Sequence, residues 1–460
     1  MITKKKPSGV AKARLVALGY QEMSSHIRKD FPTCHKDSIR IVLMLVAAYQ
    51  WEVEHIDVQS AFLQGKEITR DIYIKPPPEA HSSCLWKLKK CIYGLVDGPR
   101  NWYVELRDTL VSLGMKVSTL DDSFLYKKRG VSDISGVMVV HVDDLMFSGD
   151  KLFHEGVVRA LKEKFRLSTE VKRSFIYTGL NIRQHGVTFI SVSQAGYIDQ
   201  IQPIVIDPTR SRNNNWEIID AERSQLRSAC GQLLWAATQT RPDVSYAACI
   251  AGNALTKGTV ADLKFVNKTI KYMKANPLSL RYNKVQLNMS MIVVFCDASF
   301  GNLKDGSSQG GHIVFITARD GNSCILTWQS KKIRRVCKST LAAESWAMVE
   351  ALESAELLMA QLKEMGIVAL DSTKLICLTD CKSLHDAVHT TNTLEDKGLR
   401  IPVACLRQRV ENEEIRVRWV STKLQLADPF TKAGASSKLL CDVLASGKLP
   451  FEFMDLIFGN

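Results

Sequence analysis

Apolar residues recur along this chain with two different periods, and the switches between them mark its elements. Residues 37–50, "DSIRIVLMLVAAYQ", are apolar for almost three turns and predict a buried helix capped by Asp37 or Ser38. "WEVEHIDV" alternates and predicts a strand, as do residues 10–20 behind a basic loop and "DIYIKPPPEA" up to its prolines. "DGPRNWYVELRDTLVSLG" has helical spacing, with Pro99 suited to its first turn and Gly114 to its stop. "SGVMVVHVDDLMFSG" predicts two strands joined by a tight turn, and "DKLFHEGVVRALKEKF" an amphipathic helix after them.

Beyond residue 150 the pattern is mixed, then helical. Two helices break at Arg241-Pro242, and residues 276–290, holding Asn276-Pro277, lack periodicity and read as a linker. From 291 the order becomes strand, strand, strand, helix, strand, helix, strand, helix. The strands lie near "MIVVFCDAS", "GHIVFITA", "CILTWQS", "KLICLTD" and "EIRVRWV", and the long helix runs from Ser339 to Met365. This is an independent α/β layer. The tail after residue 435 reads as peripheral.

At 460 residues the chain is long enough for two or three domains. Its 61 Lys and Arg against 48 Asp and Glu give a net charge of +13, which fits a polyanion partner and equally a soluble protein of high pI. The apolar run Ile41 to Ala48 is too short to span a bilayer. No apolar leader is recognisable, and no Cys-x-x-Cys pair occurs among the 12 cysteines, so an intracellular, reducing compartment is expected and a zinc module is not. Cys296, Cys324, Cys377 and Cys405 lie in apolar or strand-like runs and read as small buried hydrophobes. His385 and His389 share a helix face, but Asp386 stands where zinc peptidases carry Glu and no third ligand is evident, so the bland reading of a partly exposed helix is preferred.

Candidate chemistry lies first in acids at the ends of apolar runs: Asp57, Asp143 and Asp144 in one set, Asp297 and Asp380 in a second. Glu344, in the first turns of the long helix, and Asp428, after the last strand, can join the second set on one sheet edge. A carboxylate leaving a buried strand faces the rim of a sheet, where it can hold divalent metal against phosphate. Taken singly, each of these acids also fits a solvated turn or helix start. Two clusters so far apart point to two metal-dependent nucleic-acid sites.

The ordered motifs resemble the reverse transcriptase and ribonuclease H of copia-type LTR retrotransposons across most of the chain. "KARLVALGYQE", "IDVQSAFLQG", "LWKLKKCIYGLVDGPRNWY", "HVDDL" and "RSQLRSACGQLLWAATQTRPDVSYA" are similar to successive polymerase blocks. "CDASFG", "WQSKKIRRVCKSTLAAES", "TDCKSLHDAV" and "LADPFTK" are similar to ribonuclease H blocks. The resemblance implies a multidomain α/β and α+β fold: a right-hand polymerase (palm, fingers, thumb) followed by a ribonuclease H-like α/β domain. The expected boundaries are fingers and palm at 1–150 with part of the fingers missing, a thumb or connection region at 151–275, the linker at 276–290, the ribonuclease H-like domain at 291–435 and the tail at 436–460.

It further implies metal ligation by Asp57 and Asp143 with Asp144 beside them, a catalytic quartet of Asp297, Glu344, Asp380 and Asp428, and two Mg²⁺ or Mn²⁺ ions per site. Phe62 is implied as an aromatic gate against the ribose 2′-hydroxyl, although a core aromatic after a strand has the same spacing. Lys12 and Arg14 are candidate phosphate contacts. Lys331, Lys332, Arg334 and Arg335 form a basic run that is either nucleic-acid contact or a solvated strand end, and contact is favoured beside an acid cage. Ser307, Ser308 and Gln309 are candidates to line the hybrid backbone. Departures from the family are His141 for Tyr, Val96-Asp97 for Lys-Gln, Cys381 for Asn, and no histidine before Asp428. The implied activity is RNA- and DNA-directed DNA synthesis with cleavage of RNA in RNA:DNA hybrids, on an RNA template, DNA primer and dNTPs, away from membranes, in a cytoplasmic particle or the nucleus. A nucleic-acid-binding relic and a nuclease alone are the alternatives.

Overall fold

The computed structural model describes residues 2–5, 11–22, 27–130, 133–367, 375–391 and 396–459, with side chains from Arg14 onward. They form two compact units. One holds the residues up to Val42 with Glu52–Lys172, the other Leu43–Trp51 with the residues from Arg173 on.

The first unit is built on a six-stranded antiparallel sheet. Its order is Val171–Lys172, Glu54–Asp57, Asp144–Gly149, Ile134–His141, Phe124–Lys128 and Lys116–Val117. Ile134–Val140 is buried throughout, as a central strand covered on both faces must be. Trp102, Leu106 and Leu110 of the helix Gly98–Ser112 pack there with Phe153, Val157 and Leu161. The helix expected after residue 150 is interrupted: a π turn at His154–Val158 separates Lys151–Phe153 from Arg159–Lys164. The boundary between the units falls after Lys172, not at 150, because Val171–Lys172 returns to pair with Glu54 and His55. "DIYIK" yields only the two-residue strand Tyr73–Ile74.

Glu54 points into this unit. Its carboxylate meets the His154 ring at 2.8 Å and the Lys172 ammonium at 3.3 Å. Burial, then the neighbouring Glu170, pushes the Glu54 carboxyl up to about 8. Burial also acts to raise Glu170, but hydrogen bonds from Glu54, Lys162 and Lys172 outweigh it and hold Glu170 down to about 2. Between the ordinary glutamate value of 4.5 and about 8, the native chain keeps a proton on Glu54 that the unfolded chain releases. Stability therefore falls as pH rises through that window. Glu170 contributes the opposite slope only below 4.5. Melting curves from about pH 5 to about pH 8 should show this decline, and Glu54→Gln should flatten it by about 1 kcal/mol or more. An unchanged slope would remove Glu54 as its source.

In the second unit an antiparallel sheet takes the order Ser174–Tyr177, Leu180–His185, Phe189–Ser193 and Leu280–Asn283. A third helix, Val260–Ala275, accompanies the two expected ones, Asp220–Gln239 and Ser245–Lys257. Their break is fixed by Arg241, fully buried, which donates to Asp243 at 2.7 Å and to the Met273 carbonyl at 2.9 Å. The stretch read as a linker is no tether. Leu280–Asn283 lies too close to Asn276-Pro277 to show periodicity, and its partner strand is some 90 residues earlier.

A mixed five-stranded sheet follows, in the order Ser323–Lys332, Gln309–Ala318, Ser290–Ser299, Leu375–Thr379 and Ile415–Trp419. Its first two pairings are antiparallel and its last two parallel. The helix Thr340–Glu364 packs on its central strand. Trp328 Nε1 donates to the Ala237 carbonyl at 2.8 Å, joining this sheet to the helices before it. The tail is not peripheral: Leu440, Val443 and Leu444 are buried, and Phe453 meets Phe295 edge-on at 5.2 Å. Cys296, Cys324 and Cys377 are buried as expected, but Cys405 is exposed on the helix Lys397–Glu411, whose turns carry it outward. Among the described residues no helix is long and apolar enough to cross a membrane.

Candidate active sites

In the first unit, Asp57 closes its strand directly opposite Asp144, and Asp144 is in turn opposite His141. Cross-strand partners share a face, so these three side chains stand side by side. His55, two residues before Asp57, lies on that face as well, its ring 3.2 Å from Asp144 Oδ1. Asp143 lies in the turn, after Val142 in the left-handed region at φ +60°, an unusual conformation for a β-branched residue. The turn is held from both sides. Trp102 Nε1 donates to the Val142 carbonyl at 2.7 Å, and the Val58 amide donates to the Asp143 carbonyl at 2.8 Å.

Tyr93 connects this acidic edge to its surroundings. Its hydroxyl is raised by burial, an effect that Arg14 opposes and the charges of Asp143 and Asp57 reinforce. The Arg14 guanidinium lies 4.4 Å from the Tyr93 ring centre and Phe62 lies 4.8 Å from it. Phe62 is half-buried and packs on two apolar clusters, so it is part core and part rim. The side chain of Lys12 lies outside the described residues. Asp97 is turned inward: it accepts from Arg70 at 2.7 Å while Asn101 lies 3.5 Å away, and so it serves as an internal ion-pair partner.

The second site is at the carboxyl ends of two adjacent parallel strands. Asp297 leaves Ser290–Ser299 and Asp380 follows Leu375–Thr379, whose register, Phe295 beside Leu378, brings the two acids level. Asp428 opens a 3₁₀ turn, Asp428–Phe430, where a full helix was expected, because Pro429 and Phe430 are buried against the sheet. Single oxygens of Asp297, Asp380 and Asp428 lie within 4.8 Å of one another; among the described residues no other three potential ligands gather so closely. Glu344, in the second turn of its helix, accepts a hydrogen bond from the Ala298 backbone, while its Oε2 is buried with no hydrogen-bond partner. Burial, followed by the charges of Asp297 and Asp380, raises the Glu344 carboxyl well above its ordinary value. Burial raises Asp297 to about 6, against the pull of Lys432 and Thr431. A buried, unpartnered carboxylate oxygen beside three converging ones is a hard-oxygen donor set that fits a divalent cation.

Two residues of this site escaped the sequence pattern. Thr431 Oγ1 donates to Asp297 Oδ2, and Lys432 Nζ lies 3.3 Å from Asp297 Oδ1 and 2.6 Å from Asp428 Oδ1. Both belong to "LADPFTK", and the i, i+4 spacing of Asp428 and Lys432 is the signal that was available. Gly311 is a third. It faces Asp297 across the sheet, and a Cβ there would lie 2.3 Å from that of Phe430. Gly311→Ala should therefore push the Asp428 turn off the sheet. Displacing a reacting group by about 1 Å costs on the order of a hundredfold in rate, so whatever reaction these carboxylates support should slow by about that much; an unchanged rate would show that the turn tolerates the methyl group.

The basic run is largely engaged. Lys331 pairs with Glu350 at 3.1 Å, Lys332 with Asp305, and Arg335 lies 4.0 Å over the Trp346 ring, while Arg334 is exposed. Ser308 and Gln309 are buried and therefore not free to line a substrate. Ser308 accepts from the Gly301 amide, and Gln309 donates to Ser330 at 2.8 Å. The His385 and His389 rings lie 4.4 Å apart on one helix face, with His389 Nδ1 2.8 Å from the His385 carbonyl oxygen.

Residues 2–211 match the family model described as reverse transcriptase (RNA-dependent DNA polymerase). Over 442 residues, 92% of the chain, the sequence is 28% identical to the retrovirus-related Pol polyprotein from transposon RE1 of Arabidopsis thaliana. Over 480 residues it is 24% identical to the Pol polyprotein from transposon TNT 1-94 of Nicotiana tabacum, with 94% of the chain covered. By these matches the chain is similar to the Pol proteins of retrotransposons. It spans 29% of the first relative's length and 34% of the second's. A foamy viral protease-reverse transcriptase solved with an RNA/DNA hybrid is 14% identical, with a TM-score of 0.49, over 91% of this chain and 50% of that one. Asp57, Asp143 and Asp144 lie in the first unit, inside the matched residues 2–211, and Asp297, Glu344, Asp380 and Asp428 lie in the second.

Proposed function

We propose that this chain carries out RNA- and DNA-directed DNA synthesis at the Asp57, Asp143 and Asp144 edge and cleaves the RNA strand of RNA:DNA hybrids at the Asp297, Glu344, Asp380 and Asp428 cage. The observation that carries the reading is the cage: the carboxylates of Asp297, Asp380 and Asp428 within 4.8 Å of one another. Glu344 is near enough for the charges of Asp297 and Asp380 to act on it, and one of its oxygens is buried without a partner. The reverse-transcriptase match over residues 2–211 supports the first half. In this reading the first unit, which ends at Lys172, supplies fingers and palm, and the five-stranded sheet that begins at Ser290 is the centre of the ribonuclease H-like domain.

Asp57 and Asp143 would hold Mg²⁺ or Mn²⁺ in the first site, with Asp144 steadied by His55. Asp297, Glu344, Asp380 and Asp428 would hold it in the second. Divalent ions bound there would supply an activated hydroxyl or water and neutralise the leaving oxygen. The chain's own contribution is placement: the strand ends fix Asp297 and Asp380, the Ser339-capped helix fixes Glu344, and the turn over Gly311 fixes Asp428. Hybrid recognition rests on groove shape and 2′-hydroxyls and needs no base readout.

Primer extension on poly(rA)/oligo(dT), run beside cleavage of a labelled hybrid, tests the proposal. Both activities are expected. Cleavage alone would leave a nuclease, and binding without turnover a relic. Phe62 gives the first assay a finer reading. If its ring, stacked near Tyr93, closes the sugar pocket, Phe62→Ala should raise ribonucleotide use relative to deoxynucleotide use by about tenfold or more, a change of about 1.4 kcal/mol. An unmoved ratio would assign Phe62 to the core.

A further inference from the structure

We propose that Lys432 is a built-in counter-cation of the acid cage, which a divalent ion must displace in order to bind. The inference rests on the hybrid-cleavage reading of the cage and adds to it a residue that sets metal affinity. Lys432 Nζ lies 2.6 Å from Asp428 Oδ1 and 3.3 Å from Asp297 Oδ1. These residues supply two of the three carboxylates that converge within 4.8 Å. A divalent ion binds such oxygens at about 2.0–2.6 Å. An ammonium and that ion on the same two carboxylates would stand within a few ångströms of each other, and like charges so close in a buried setting repel strongly. The two cations therefore exclude each other.

The surroundings fit an exchange. Asp297 is almost fully buried, and Glu344 has an unpartnered oxygen, so the cage without a cation would be a cluster of desolvated like charges. The lysine stem has room to leave, since its side chain is 39% exposed. Thr431, its neighbour, keeps its own hydrogen bond to Asp297 Oδ2 and does not depend on the ammonium. Lys432 would hold the carboxylates in position between ions and weaken every ion that binds.

Mn²⁺ binding to the full chain, followed by the electron paramagnetic resonance of the free ion, tests this. An Asp57→Asn, Asp143→Asn background silences the first site. Lys432→Met should tighten Mn²⁺ binding by about tenfold, equivalent to about 1.4 kcal/mol, while Lys432→Arg, which keeps the charge, should remain near the parent. In EDTA the Met variant should melt lower than the parent, and saturating Mn²⁺ should close or reverse the gap. Lys432→Gln serves if Lys432→Met does not fold. Unchanged or weaker Mn²⁺ binding in the charge-free variants would overturn the proposal and would mean that the ammonium stays beside the ion. Asp297→Asn separates the two levels of the argument. If it leaves Mn²⁺ binding intact, the cage is not the ion site and both readings fall; if it abolishes binding while Lys432→Met does not tighten it, only the role of Lys432 falls.

Discussion

Glu344→Gln is expected to abolish hybrid cleavage and, in EDTA at neutral pH, to raise the melting temperature. The two effects have one source. Glu344 is buried, lies near Asp297 and Asp380, and keeps one oxygen without a partner. Burial and its acidic neighbours raise its carboxyl well above the ordinary value, so without a metal the native chain disfavours the charged form that the unfolded chain carries freely. The amide has the same shape and no such penalty, and its NH₂ can donate toward the neighbouring carboxylates. A gain on the order of 1 kcal/mol, about 2–4 °C for a unit of this size, is expected. Cleavage should fall by about a thousandfold or more, about 4 kcal/mol, because the cage loses a charged oxygen ligand. Sites that bind strongly charged ligands commonly sacrifice stability in this way. Calorimetry and cleavage on the same preparation decide it. Retained cleavage would remove Glu344 from the site, and a lowered melting point would show that its carboxylate is structurally satisfied.

Asp143→Asn should remove DNA synthesis, by about a thousandfold or more, and leave hybrid cleavage at the parent rate. The turn around Asp143 is held by backbone acceptors: the Val142 carbonyl takes Trp102 Nε1 and the Asp143 carbonyl takes the Val58 amide. Neither bond involves the Asp143 side chain, so an isosteric amide should keep the turn while removing the charge. Asp143 and the cage also belong to different compact units, each with its own apolar cluster. Equal loss of both activities in a folded variant would argue against two centres.

Asp57, Asp143, Asp144, Asp297 and Asp380 were legible because each stands at the end of an apolar run, and a strand's period fixes which side chains face out. Asp57 and the Val142-Asp143 turn could be placed from "WEVEHIDV" and "SGVMVVHVDDLMFSG" alone, and the long helix carrying Glu344 from its spacing. Asp97 was legible only as a departure. That it is used up by Arg70 depends on a residue 27 positions earlier. Cys405 misled because apolar neighbours in sequence do not say which way a helix turns each of them.

By itself the sequence determined the elements with long, regular periods, the order of the two acidic sets and the basic character of the chain, since those depend on local spacing and composition. The tertiary structure alone decided that residues 276–290 supply a strand, that the tail fills a core through Phe453, and that Ser308 and Gln309 are buried. It alone placed Tyr93 between Phe62, Arg14 and the acids, Gly311 beneath Phe430, and the Lys432 ammonium on the same carboxylates a metal would use. The physical reason is the same in each case: these roles are set by contact between side chains far apart in the chain, and period and propensity carry no record of which distant strand or turn will pack against a given residue.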